Sequence, residues 1–212
     1  IGETTRIMFK INKKKWENFW YYYKIHVGVG ILVAIFLGIT IKDCAQNIEP
    51  DVTLVYMGMD LQPNHITHME EEFLEILQDA NNDGKKKISV LPVMNEQKLQ
   101  LLVITRDAQL LILDRTTFEA YAQHGAFQPL DMFIEPYHIN IKAHPEIQLI
   151  PQEEQEKHVY GIPLEGNDFF EKMGLAASDK YLVMVAPGRK SSSKETAIYQ
   201  NAYAVLEKIM ER

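Results

Sequence analysis

The chain of 212 residues has one cysteine, Cys44, which excludes an internal disulfide and leaves pairing with another chain or a free thiol. It has no G-x-G-x-x-G, no P-loop and no G-x-S-x-G elbow, so the usual nucleotide cradles and strained serine nucleophiles are missing. Ser89, Ser178 and Ser191 to Ser193 stand in no nucleophile motif, and the adjacent Glu153 and Glu154 fall in a charged turn. No catalytic residue, no cofactor and no enzyme activity are expected. Basic charge is also scarce, with 22 Lys and Arg against 29 Asp and Glu. Residues 43 to 212 alone carry 15 against 27, a net of −12, which argues against nucleic acid as a partner. Lys85-Lys86-Lys87 is too short a run to reverse that.

Long apolar runs are absent except for one, and that one organises the chain. Ile25 to Ile41 holds no Asp, Glu, Lys or Arg and only His26 as a titratable group. Extended back through Trp20 to Tyr23 it passes the ~20 residues that a membrane helix needs. Arg6, Lys10, Lys13, Lys14, Lys15 and Lys24 precede or flank it, with Trp16, Phe19, Trp20, Tyr21, Tyr22 and Tyr23 among them. Residues 1 to 42 carry seven Lys and Arg against two Glu, a net of +5, so the positive-inside rule places the N-terminus in the cytoplasm. The exit, Thr40 to Gln46, lacks a small-x-small cleavage pattern, and Lys42 and Asp43 before Cys44 do not suit lipidation; an uncleaved signal anchor is expected. Gly30, Ala34 and Gly38 form a small-residue stripe that would let a second membrane helix approach closely. The expected organisation is a basic and aromatic segment over 1 to 24, a transmembrane helix over 25 to 41, a linker over 42 to 50 and an outer domain over 51 to 212.

The outer region alternates strand and helix. Strands are expected at Val52 to Met57, Ile88 to Val93 and Gln109 to Leu113, and helices at His65 to Ala80, Glu96 to Thr105 and Thr116 to His124. Such repeats need parallel strands with helical crossovers. Short extra strands follow from Phe133 to Val159, including Ile139-Asn140-Ile141, then strands at Val159 to Pro163 and Tyr181 to Ala186. Ser192 with Glu195 opens a last helix whose apolar face is Ile198, Ala202, Val205, Leu206 and Ile209.

Two metal motifs are weak. Asp79 to Gly84 matches the first half of an EF-hand loop, but Val90 stands where the twelfth position needs Glu, and a turn is the simpler reading. His65, His68 and Glu72 could meet on one helical face, yet exposed histidines in a first turn are common, and no metal is expected.

The stretch Asp107 to Asp114, followed by Phe118-Glu119-Ala120-Tyr121, Gly125-Ala126-Phe127 and Pro129-Leu130-Asp131, resembles the first lobe of bacterial extracellular solute-binding proteins of ABC importers. Tyr160 to Leu164 is similar to the strand by which that lobe crosses to the second, and Tyr181 to Pro187 to the return strand. The resemblance implies an α/β fold: a single N-terminal transmembrane helix plus one periplasmic-binding-protein-like lobe with a mostly parallel sheet flanked by helices. Only Glu165 to Lys180 stands where the family carries a second lobe, so closure of two lobes about a solute is not expected. A ligand or partner would meet the carboxyl ends of the strands: Gly58, Met59 and Asp60, then Met94 and Asn95, then Asp114 and Arg115. The expected function is an accessory or interaction subunit of a membrane complex, for instance a transporter, in a Gram-positive-type envelope. The alternative is a membrane-tethered receptor for a small solute.

Overall fold

Mostly apolar runs of five or six residues become the four longer strands of a computed structural model describing residues 13–46, 49–152, 156–175, 177–188 and 192–211. The chain divides into two units, Ile1–Ile48 and Glu49–Arg212. In the first, one helix, α1, spans Lys13–Gln46. Within it Phe19–Thr40 is long and apolar enough to cross a membrane. That stretch takes in Phe19 to Lys24 ahead of Ile25. The helix also continues through the start of the expected linker, since nothing between Lys42 and Gln46 is Pro or Gly. Residues 1–12 of the basic segment, Arg6 and Lys10 among them, lie outside the described residues.

The second unit is built on a five-stranded sheet. Its strands are β1 (Val52–Met57), β2 (Ile88–Val93) and β3 (Leu110–Asp114), with β6 (Ile162–Pro163) and β7 (Lys180–Met184), in the order β2-β1-β3-β7-β6. β1 is parallel to β2 and β3, while β7 is antiparallel to both β3 and β6, so four of the five strands point one way. β4 (Gln148–Leu149) and β5 (His158–Val159) form a separate antiparallel pair. The helices are α2 (Pro63–Leu74), α3 (Glu96–Thr105), α4 (Arg115–Gln123), α5 (Asp168–Lys172) and α6 (Ser193–Met210).

The longer strands are apolar at most positions because both faces of the sheet are covered. Leu54, Ile112, Leu182 and Met184 face Met69 and Phe73 of α2, Phe170 of α5 and Ala202, Val205, Leu206 and Ile209 of α6. Val55, Leu111, Leu113 and Val183 face Leu99 of α3 and Phe118 and Ala122 of α4. Thus α2 and α3 lie on opposite faces, as crossovers of one hand require when the chain reverses its direction across the sheet. Phe118 stacks on Tyr181 and on Phe127, with ring centroids 5.1 and 6.2 Å apart, and the Phe118–Tyr181 pair ties α4 to β7.

Several elements differ from the pattern in the sequence. The helix expected to reach Ala80 ends at Leu74, because side chains capture the backbone beyond it. Asn201, buried in α6, accepts from Gln78 N at 2.8 Å and donates to Gln78 O at 2.8 Å and to Asp51 O at 3.3 Å. Asp51 in turn accepts from Ala80 N and Lys87 N, both at 2.8 Å. Leu77 and Ala80 are still buried, but from an irregular segment. Ile139-Asn140-Ile141 is irregular, set between the turns at 134–138 and 141–143, and not a strand. His138 there has φ +53°, and the amides of Ile139 and Ile141 bond locally to Ile134 and Ile139. The strand expected over Val159 to Pro163 is two, β5 and β6, in different sheets. Gly161 lies between them against Phe118, where a Cβ would come within 2.8 Å of the ring, so only glycine lets the chain pass. β3 and α4 also shift by one residue, to Leu110–Asp114 and Arg115–Gln123, and β7 covers Lys180–Met184.

Replacing Asn201 by Leu removes three hydrogen bonds from a buried site and leaves the Gln78 amide and carbonyl and the Asp51 carbonyl without that partner. We expect a loss of about 2–4 kcal/mol, measured by urea unfolding followed by circular dichroism; a change under about 0.5 kcal/mol would mean that Asn201 does not set the end of α2.

Candidate functional site

The carboxyl ends of β1, β2, β3 and β6 share one edge with the start of β7, and the residues expected to meet a ligand lie there. The loop after β1 is tight. Gly58 N donates to Val93 O at 3.3 Å, and a Cβ on Gly58 would lie 2.5 Å from Asp60 Oδ1 and 2.9 Å from the Tyr56 ring. The Tyr56 hydroxyl donates to Asp60 Oδ2 at 2.7 Å. Burial first, then the hydrogen bond to Asp60 and its charge, push the Tyr56 phenol well above its ordinary range. Lys180 Nζ donates to Met57 O at 2.6 Å and lies 5.4 Å from the centre of the Tyr56 ring.

The polar residues after β2 and β3 open helices. Asn95 Oδ1 accepts from Gln97 N at 2.7 Å and so caps α3. Asp114 accepts from Thr117 N at 3.0 Å and from Thr117 Oγ1 at 3.1 Å and caps α4. Arg115 Nε donates to Glu119 Oε1 at 2.8 Å, and its Nη2 lies 3.8 Å from Glu146 Oε2. Met59 and Met94 are largely exposed.

Glu146 joins this edge from a distant turn. Its carboxylate accepts from the Tyr181 hydroxyl at 2.6 Å and lies 3.4 Å from His144 Nδ1. Burial acts to raise its pKa, but the Tyr181 hydrogen bond, its own backbone amide, Arg115 and His144 together outweigh this and hold it below the usual value. His144 Nε2 also lies 3.9 Å from Glu165. Beside them, at the end of β6, a cavity of about 210 Å³ is lined by Tyr137, His138, Asn140, His144, Glu165 and Asp168, with others. That is below the roughly 300 Å³ at which pockets for small molecules usually begin.

Of the expected edge residues, Gly58, Asp60, Asn95, Asp114 and Arg115 are thus brought to one edge, each with internal partners. Tyr56, Glu146, Lys180 and Tyr181 were not legible as members of this edge. The signal was the register itself: Asp114 pairs with Lys180 only because β7 returns antiparallel beside β3. The metal candidates do not assemble. His65 Nδ1 accepts from Gln62 N at 3.2 Å within the cap of α2, and His68 and Glu72 face a cleft shared with Lys172 and Lys208. Asp79 and Asn81 accept the backbone amides of Asp83 and Gly84 in a turn beyond α2. Among the described residues no cluster of three His, Cys, Asp or Glu is placed to hold an ion.

No protein-family model matches the chain, and no curated protein matches it. Among solved structures, an ABC substrate-binding protein from Listeria monocytogenes in complex with cycloalternan aligns at 21% identity and a TM-score of 0.36 over 59% of this chain and 33% of its own. An ABC transporter solute-binding protein from Agrobacterium vitis with bound D-mannitol aligns at 16% and 0.29, over 59% and 31%. A TRAP periplasmic solute-binding protein from Ochrobactrum anthropi aligns at 10% and 0.33, over 75% of each chain. The chain spans about a third of the length of the first two.

Two outcomes follow from these contacts. Asp114→Ala should cost about 1 kcal/mol in urea unfolding through the lost cap; no loss would show that Asp114 is free for another role. Glu146 has its lower pKa in the folded state, so its contribution is present above the unfolded value of about 4.3 and is lost as pH falls through the folded value. Glu146→Gln should therefore flatten the fall in melting temperature between about pH 5 and pH 3; an unchanged slope would contradict the assignment.

Proposed function

We propose that the chain is a single-pass membrane protein, with a cytoplasmic N-terminus and its α/β unit outside the membrane of a Gram-positive-type cell. In this reading the outer unit is a one-lobed relative of solute-binding proteins and serves as an accessory or interaction subunit of a membrane complex such as a transporter. The charge asymmetry of +5 against −12 supports the orientation. The apolar Phe19–Thr40 stretch supports the anchor, and the bilayer is its first partner.

The observation that carries the accessory role is the state of the carboxyl edge. Asp60 is bonded to Tyr56, Lys180 to Met57 O, Asn95 and Asp114 to helix starts, and Arg115 to Glu119. A solute there would have to displace bonds within the fold, with no second lobe to repay them by excluding water. A protein partner can instead use shape and the exposed Met59 and Met94 around that edge. The small-residue stripe of α1 supplies a second place for contact, since a Cβ on Gly30 or Gly38 would meet nothing within 4 Å.

Purification of the full chain from its own membrane in mild detergent, with mass spectrometry of what accompanies it, tests this reading. We expect a stoichiometric membrane protein partner, whose recovery falls several-fold when Gly30 and Gly38 are both replaced by Ile. Recovery of the chain without any other protein would overturn the accessory role.

A further inference from the structure

The five-stranded sheet has two outermost strands, β2 and β6, and the outer side of each is a row of backbone groups with which another strand could pair. In both, proline interrupts that row. The N–H and C=O of one residue point to one side of a strand, and those of the next residue to the other. Val93 O accepts from Gly58 N at 3.3 Å on the β1 side, so Pro92 turns its backbone outward. Leu164 N donates to Lys180 O at 2.9 Å on the β7 side, so Pro163 is outward too. Proline at these positions costs the sheet no ladder bond and offers an incoming strand no N–H. β2 has a second block. Val90, two residues before Pro92, also faces outward, and its N–H donates to Glu70 Oε1 at 3.2 Å. Glu70 follows Met69, which is buried against the sheet from α2, so the helix carries this carboxylate to the border of the sheet. Of the run Glu70-Glu71-Glu72 it is the half-buried member, and the other two are exposed.

We propose that Glu70 is a guard on the sheet: its carboxylate occupies the Val90 amide that an added strand would need, and with Pro92 it keeps β2 from pairing with the β2 of a second copy. The strand is otherwise suited to such pairing, being six residues long and mostly apolar. Two copies of β2 set antiparallel about Val90 would exchange a pair of bonds there, each Val90 N–H to the other's Val90 O. The next bonded pair would join position 92 of one copy to Ile88 of the other, where Pro92 has no N–H to give to Ile88 O. Glu70 and Pro92 thus remove donors at adjacent outward positions of one strand. β6 needs less, because it has two residues and Pro163 is one of them. A consequence for recognition is that a protein partner meets the faces or loops of this unit and does not extend its sheet. This inference concerns the outer side of β2 and rests on neither the accessory role nor the membrane anchor.

The test uses the full chain in detergent. Hydrogen exchange of the Val90 amide, read by NMR, should speed several-fold in Glu70→Ala, while the amides of Leu91 and Val93, which face β1, keep the rates of the unchanged chain. Glu70→Gln keeps an acceptor at the same place and should leave Val90 protected. Glu70→Ala combined with Pro92→Thr should give a species of at least twice the protein mass of the unchanged chain, read by size-exclusion chromatography with light scattering. Glu70→Gln combined with Pro92→Thr should give several-fold less of it, a difference that loss of the proline alone does not produce. Exchange at Val90 that does not respond to Glu70→Ala would overturn the role of Glu70. An alanine and threonine double variant that keeps the mass of the unchanged chain would overturn the closure of β2 against a second copy.

Discussion

The antiparallel placement of β7 between β3 and β6 is the constraint on which the rest of the outer unit depends. A chain leaving β6 at Pro163 must come back along the same edge to start β7 at Lys180, so it needs only to turn around and not to cross a face of the sheet. A short connection is enough. The connection, residues 164–179, includes the five residues of α5 opened by Asn167, and Asn167 also donates to Ile209 O, which fixes the connection to the end of α6.

That return strand also determines the chemistry of the edge. It brings Lys180 to the carbonyl of Met57 and Tyr181 to Glu146, and through Glu146 it draws in Arg115 and His144. Each of these contacts satisfies a polar group that would otherwise face solvent or a ligand. The result is an edge stabilised from within, with apolar Met59 and Met94 left outward. The interaction role proposed for this edge rests on that arrangement.

Much of the fold was legible in the sequence because its strands are apolar on both sides and sharply bounded. Val52–Met57 and Ile88–Val93 appear with the limits that their composition suggested, and Ser192 accepts from Glu195 N at the start of the last helix. What could not be read depended on distant residues. Asn201 captures Gln78 from 123 positions away and so ends α2 six residues before the pattern of apolar spacing does. Ile139 and Ile141 alternate as strand residues do, yet Asn140 accepts from the amide of Ala143 and the segment folds on itself. The candidate edge was legible residue by residue, since strand ends locate it. The pairing that occupies it was not, because Glu146, Lys180 and Tyr181 reach it from segments with no local mark of that role.

The central claim is that the carboxyl edge is closed by bonds within the fold and does not capture a solute. Its most direct test is the melting temperature of the full chain in detergent against a panel of sugars, sugar alcohols, amino acids and short peptides at millimolar concentration. The account predicts no saturable shift with any of them. A saturable rise of several degrees that Asp60→Ala or Arg115→Ala abolishes would contradict it and make the unit a tethered receptor.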